Sequence, residues 1–295
     1  MPHLLNIIKL LRVNQWIKNF LIFAPLFFAF RLPETETVVE LLYAFLGFCF
    51  LASAVYIIND WCDIEADKLH PRKKHRPLAS GAIGKKEAAA ILACLFTAGI
   101  AIYVFLIGLP YATILLLAYF AMNLSYSLKL KQYAILDVSI VAIGFIIRLF
   151  IGGIVSGAFL SYWIIILTFL FAMLLVLGKR RHDITIFEET GQKMRKSILG
   201  YNAEFLNAII VVVVAVLCIC YILYTISPEV VSKNGENLYL TSLFVILGLF
   251  RYLQVLYVEK KGDSPTVLIM KDRFLQAVLF FWIASFVAIS VLHRM

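Results

Sequence analysis

Charge is scarce in this chain: Asp, Glu, Lys and Arg make up 15% of its 295 residues, against 62% hydrophobic. Soluble domains carry about a quarter charged residues, so a water-soluble globular fold is excluded. A mean hydropathy of +0.91 reads as a polytopic membrane protein. Cysteine is scarce too. Cys49, Cys62, Cys94, Cys218 and Cys220 show neither metal nor disulfide spacing, and all but Cys62 lie in apolar stretches as small packing residues. No internal repeat, low-complexity tract or Pro/Gly-rich linker interrupts the chain, so one integral-membrane domain over 1–295 is expected. The N-terminal stretch has Lys9, Arg12 and Lys18 but no short apolar core with a cleavage site. It reads as a retained interfacial helix.

What is present is a series of apolar windows. A helix needs about 20 apolar residues to cross a bilayer, and nine windows approach this: 14–30, 38–58, 88–107, 110–128, 135–157, 161–178, 205–226, 238–257 and 274–292. Of the 27 Lys and Arg, 22 lie in the N-terminal stretch and the even-numbered loops. The positive-inside rule therefore puts the N-terminus in the cytoplasm and the C-terminus outside. The net charge of +9 follows from this topology, and nucleic acid is not an expected partner. The two longest loops, roughly 59–87 and 179–204, are both cytoplasmic and both rich in ionisable residues, so the chemistry belongs at that face.

The first of these loops opens with Asn59-Asp60-Trp-Cys-Asp63-Ile-Glu-Ala-Asp67. On a continuing helix Asp60, Asp63 and Asp67 share one face, with Asn59 one turn above Asp63. Clustered carboxylates with an amide oxygen are hard ligands suited to Mg²⁺ shared with substrate phosphates. A cationic run follows, including Arg72, Lys73 and Arg76, suited to an anion carried by such a metal. The second loop opens with Gly178-Lys179-Arg180-Arg-His-Asp183. Its Lys179 and Asp183 read either as an i, i+4 helix-end pair or as part of a metal–phosphate site built between the two loops. Arg148 lies mid-span, where a charge needs a partner or a function; the alternatives are an internal salt bridge and an anion site. Gln15, Lys18 and Asn19 cluster at the entry of the first span, and Tyr126 and Lys129 close the fourth. These five read equally as interfacial anchors or as ligands at a cavity mouth. Arg251 reads as a snorkelling residue, Asp263 and Asp272 as solvated loop acids, and Gly153-x-x-x-Gly157 as a helix-packing motif.

The first acidic motif, with nine spans and a second acidic loop after the sixth, resembles the UbiA prenyltransferase superfamily over the whole chain. Several stretches resemble its decaprenyl-phosphate phosphoribosyltransferase branch: Gln15-Trp-Ile-Lys18-Asn19, His70-Pro71, Arg76-Pro77, Tyr126 through Lys131, Arg148 through Gly153 and Gly178-Lys179-Arg180. The resemblance implies an all-α bundle of nine helices around a central cavity open to the cytoplasm. It implies transfer of 5-phosphoribose from phosphoribosyl pyrophosphate to a polyprenyl phosphate, for lipid-linked pentose and cell-envelope glycans. Asn59, Asp60, Asp63, Asp67 and Asp183 would hold Mg²⁺. Lys18, Lys129 and Arg148 would hold the acceptor phosphate, and Arg72, Lys73, Arg76, Lys179 and Arg180 the donor phosphates.

Prenyl-to-aromatic members carry a second carboxylate one turn after position 183, where this chain has Phe187. That argues against a symmetric two-metal clamp. The alternatives are a prenyltransferase acting on an aromatic acceptor and, from another class, a transporter, against which nine spans divide poorly into two halves. The location expected is the inner (plasma) membrane. Oligomeric state is left open, a homo-oligomer included.

Overall fold

The computed structural model describes residues 2–29, 34–69, 73–190, 196–259, 268 and 271–294. Among these the regular structure is helical throughout, and eight helices are long and apolar enough to cross a membrane. The protein is a multi-pass membrane protein. Two compact units are distinguished, Met1–Lys131 with Ile143–Leu160, and Gln132–Ala142 with Ser161–Met295.

The first unit holds α1 (Pro2–Leu11), α2 (Ala24–Ala29), α3 (Thr35–Cys62), α4 (Ile64–Lys68), α5 (Lys85–Ala101) and α6 (Pro110–Leu128). It also takes the later part of α7 (Leu136–Ser156). Its main core gathers Phe48, Leu51, Tyr103, Leu116 and Ile151, all fully buried. A smaller core of Leu10, Ile57, Ile64, Leu78, Ile83 and Ala88 ties α1 and the loop after α4 to the end of α3. That core fixes the acidic stretch in place.

The second unit holds α8 (Tyr162–Thr190), α9 (Ala203–Thr225), α10 (Pro228–Asn234), α11 (Ser242–Tyr257) and α12 (Arg273–Arg294). Leu174, Leu177, Leu206, Ile210, Leu217 and Leu256 belong to its core.

Eight of the nine expected spans are long helices, the third closing in a π-helical stretch, Ile102–Ile107, and the eighth opening in a 3₁₀ stretch, Glu236–Thr241. The first, expected over 14–30, is a 3₁₀ helix, Val13–Phe23, that continues into α2. Three residues per turn align positions three apart, and here these are Trp16, Asn19 and Ile22. Trp16 Nε1 donates to Ser53 Oγ at 3.0 Å, Asn19 Nδ2 to Cys49 Sγ at 3.1 Å, and Ile22 is fully buried. An α-helical pitch would rotate this stripe away from α3, so tertiary bonds select the tighter turn.

The Gly153-x-x-x-Gly157 motif does not act as a helix-packing face. Gly157 lies beyond the end of α7 with φ +64°, a left-handed position that suits glycine. The close approach belongs to Gly152, where an added Cβ would strike the backbone carbonyl of Ile22. Gly152→Ala should therefore destabilise the first unit by about 1–3 kcal/mol. Thermal unfolding of detergent-solubilised protein reads this, and an unchanged melting temperature would contradict the contact.

Candidate functional site

The acid cluster begins where α3 ends. Asp63 breaks the helix with φ −100° and ψ 6°, and α4 restarts at Ile64. The backbone ladder still bridges the break, Asp63 N to Asn59 O at 3.1 Å and Asp67 N to Asp63 O at 2.7 Å. The acids consequently divide into two sets instead of forming one uniform face.

Asp60 and Asp67, 2% and 4% exposed, share Arg76. Its Nη1 lies 3.0 Å from Asp60 Oδ1 and 2.7 Å from Asp67 Oδ2. Asp60 Oδ1 also pairs with Arg12, whose guanidinium stacks 5.0 Å over the Tyr56 ring. Arg12 sits just past α1 in the left-handed region, φ 50°, which turns its side chain back toward α3. Burial pulls its guanidinium below the ordinary value, and Asp60 opposes that shift.

Asn59 and Asp63 face Lys131. Its Nζ lies 2.6 Å from Asp63 Oδ1 and 3.4 Å from Asn59 Oδ1. Lys131 is on a 3₁₀ turn, Leu130–Gln132, and is nearly buried. Arg12 and Lys131 were both missed as site residues in the sequence. Lys129, expected at the cavity mouth, is exposed and makes no ion pair among the described residues. A register two residues further along carries the lysine that reaches the acids.

The donor set suits a hard divalent cation. Two carboxylate oxygens converge on one guanidinium nitrogen at Arg76, and a carboxylate and an amide oxygen converge on the ammonium of Lys131, so nitrogen cations mark two positions where cations are held. Among the described residues, no group of three carboxylates stands ready as a metal cage. The residues fit a metal by chemistry once their present partners move.

Arg148 is 5% exposed and pairs with no carboxylate among the described residues, so the salt-bridge reading is set aside. Its Nε donates to Asn19 Oδ1 at 2.8 Å, Nη1 to Gly144 O at 2.7 Å and Nη2 to Tyr119 OH at 3.3 Å. Phe48, Tyr119 and Phe145 lie 4.5–5.4 Å from the guanidinium carbon. Ring faces supply negative potential but leave a full positive charge. Asn19 is a buried link between Arg148 and Cys49, whereas Gln15, Lys18 and Tyr126 are half-buried. Arg72 lies outside the described residues, and Lys73 is half-buried.

In the second unit the i, i+4 expectation for Lys179 and Asp183 gives way to an i, i+3 pair: Arg180 Nη1 bonds Asp183 Oδ2 at 2.9 Å. Lys179 is exposed. Arg180, 5% exposed, also donates from Nε to Asp137 Oδ2 at 2.7 Å, and Asp137 is fully buried. Tyr201 completes the network, donating to Asp137 Oδ1 at 2.7 Å and accepting from the amide of Ile135 at 2.6 Å. Burial holds the Tyr201 phenol above its ordinary value, so it remains a donor. Asp272 is not a solvated loop acid. Arg251 Nη2 binds it at 2.7 Å and holds its carboxyl below the usual range. Asp263 lies outside the described residues.

All-helical, multi-pass and acidic at its helix ends, the chain belongs to the UbiA prenyltransferase family, whose sequence profile matches residues 20–284. It is similar to the decaprenyl-phosphate phosphoribosyltransferase of Mycolicibacterium smegmatis, 30% identical over 291 residues, covering 95% of this chain and 91% of that one. The decaprenyl-phosphate phosphoribosyltransferase of Corynebacterium glutamicum is 30% identical over 282 residues, covering 94% of this chain and 84% of that one. The fold matches a UbiA homologue from Archaeoglobus fulgidus bound to DMAPP and Mg²⁺, with a TM-score of 0.69 at 19% identity, covering 96% of this chain and 98% of that one.

Removing one partner from a buried ion pair costs about 3–5 kcal/mol. Asp137→Ala should lower the stability of the solubilised protein by that order, and Tyr201→Phe by about 1 kcal/mol. An Asp137→Ala protein that unfolds with the wild type would show that Arg180 is neutralised elsewhere.

Proposed function

We propose that this protein transfers 5-phosphoribose from phosphoribosyl pyrophosphate to a polyprenyl phosphate at the cytoplasmic face of the inner membrane. The observation that carries the reading is the composition of the acid cluster, in which each of three carboxylates is already matched to a cation that a diphosphate can claim. Full-length similarity to decaprenyl-phosphate phosphoribosyltransferases supports it, as does Phe187 in place of a second carboxylate. The orientation follows from the positive-inside distribution of Lys and Arg.

In this reading the bond between C1 of the ribose and the diphosphate oxygen breaks, and the diphosphate departs with the bonding electrons. An oxygen of the lipid phosphate bonds to C1 from the opposite face, inverting configuration. A phosphate oxygen is ionised at neutral pH, so the site has no proton to remove and needs no general base. Arg76, Arg12 and Lys131 stand beside the departing charge and stabilise it as it develops. Asn59, Asp60, Asp63 and Asp67 would hold Mg²⁺, and the ion would supply Lewis-acid neutralisation of the leaving group. Arg148, with no carboxylate partner among the described residues, is the residue proposed to receive the acceptor phosphate. Asn19, Phe48 and Tyr119 orient it.

Membranes containing the protein, given labelled phosphoribosyl pyrophosphate and a polyprenyl phosphate, should yield lipid-soluble label, and Asp63→Asn should abolish it. No lipid-soluble product, together with activity on a prenyl diphosphate and an aromatic acid, would replace this reading with prenyl transfer. Arg148→Ala removes a charge-assisted contact of about 1.5–3 kcal/mol. It should raise KM for the lipid phosphate roughly 10- to 100-fold with KM for the donor little changed, and the reverse pattern would move Arg148 to the donor side.

A further inference from the structure

We infer that Arg12, Arg76 and Lys131 are exchangeable counter-ions: the acid cluster releases them to take a divalent cation only when a diphosphate is present to receive them. The inference rests on the donor-diphosphate reading above and adds how that site couples its two ligands.

The ion pairs carry the argument. Asp60 Oδ1 holds two guanidiniums, from Arg12 and Arg76. Asp67 Oδ2 holds the second of these at 2.7 Å, and Asp63 Oδ1 holds the Lys131 ammonium at 2.6 Å. One oxygen of each carboxylate that would ligate a hard cation is thus engaged with a nitrogen cation. Each of the three carboxylates faces at least one cation, so the acids are neutralised where they stand.

Burial makes that pairing matter. Asp60 and Asp67 are almost wholly shielded from water, and Lys131 is 9% exposed. An uncompensated charge in such surroundings costs several kcal/mol. If the carboxylates accept a divalent cation alone, either two positive charges are added where the acids already hold cations or Arg76 and Lys131 are expelled without partners. If the cations accept a diphosphate alone, they leave the carboxylates unpaired. Accepting both cancels most of each cost: carboxylates face the metal, and Arg12, Arg76 and Lys131 face the diphosphate.

The cations are placed to make this move. Arg76 follows a short 3₁₀ turn, Lys73–His75, and Lys131 sits on another, Leu130–Gln132. Neither belongs to a long helix. Both have long side chains that keep a solvent-facing fraction, 23% for Arg76 and 11% for Lys131. The acids, by contrast, are anchored by α3, α4 and the small core around Ile57 and Ile64.

Two consequences follow. Metal and diphosphate bind synergistically, each raising the affinity for the other by the same factor. Removing one internal cation also has opposite effects on the two ligands, freeing a carboxylate for metal while removing a contact for diphosphate. A cation that only bound diphosphate would not alter metal binding in the absence of diphosphate.

The test uses the full chain in lipid nanodiscs, with Mn²⁺ and inorganic pyrophosphate as probes and free concentrations corrected for their complex in solution. Mn²⁺ binding is read by electron paramagnetic resonance. In the wild type, saturating pyrophosphate should tighten Mn²⁺ binding by on the order of tenfold. Lys131→Gln and Arg76→Gln should each tighten Mn²⁺ binding without pyrophosphate and weaken pyrophosphate binding. Should Arg76→Gln fail to fold, Lys131→Gln, which alters an edge turn, carries the test alone. Wild-type Mn²⁺ affinity that is indifferent to pyrophosphate, or a Lys131→Gln protein with unchanged Mn²⁺ affinity, would overturn the exchange. Exchange observed without phosphoribosyl transfer would retain the device and reject the donor. Transfer observed without exchange would do the opposite.

Discussion

Three carboxylates at the end of a membrane helix impose the constraint on which the first unit depends. Asp60, Asp63 and Asp67 sit at the end of α3 and in α4, two of them almost fully buried, and a buried charge is tolerated only when paired and hydrogen-bonded. The surrounding backbone is shaped accordingly. The chain leaves α1 through a left-handed Arg12, α3 gives way to α4 at Asp63, and two short 3₁₀ turns present Arg76 and Lys131. Each irregularity delivers a cation or an acid to the same cluster. The cluster is therefore an ion-pair network first, and the metal–diphosphate reading proposed for it builds on that network.

The second unit obeys the same rule with a different outcome. Asp137, in the first turn of α7, is neutralised by Arg180 and satisfied by Tyr201. Arg180 is committed to two acids, which makes it a holder of Asp183 more than a free ligand for phosphate. Ile135, with φ +68°, gives its amide to the same tyrosine. Here the ion pairs fasten a loop to helix ends, whereas in the first unit they leave long, partly exposed cations beside buried acids.

Much of this was legible in the sequence. Apolar windows about 20 residues long located the eight long spans, and the acid-then-base order of Asn59 through Arg76 pointed to a cluster in which Arg76 meets Asp60 and Asp67. What the sequence hid was pairing across distance. Arg12 meets Asp60 from 48 residues away and Lys131 meets Asp63 from 68, and no local pattern encodes such partners. Asp137 carries no local signal of its role, because its partners Arg180 and Tyr201 lie 43 and 64 residues downstream. The first span misled for another reason. A window measures hydrophobicity and not pitch, and only the bonds from Trp16 and Asn19 reveal a period of three.

The central claim is that a pentose phosphate moves to a lipid while a diphosphate leaves into water. Two donors settle it, phosphoribosyl pyrophosphate labelled in its 5-phosphate and the same molecule labelled in its diphosphate, each incubated with the protein in polyprenyl-phosphate liposomes. The account predicts the 5-phosphate label in the lipid and the diphosphate label in water as pyrophosphate, in equal amounts. Diphosphate label in the lipid, or neither label there, would contradict it.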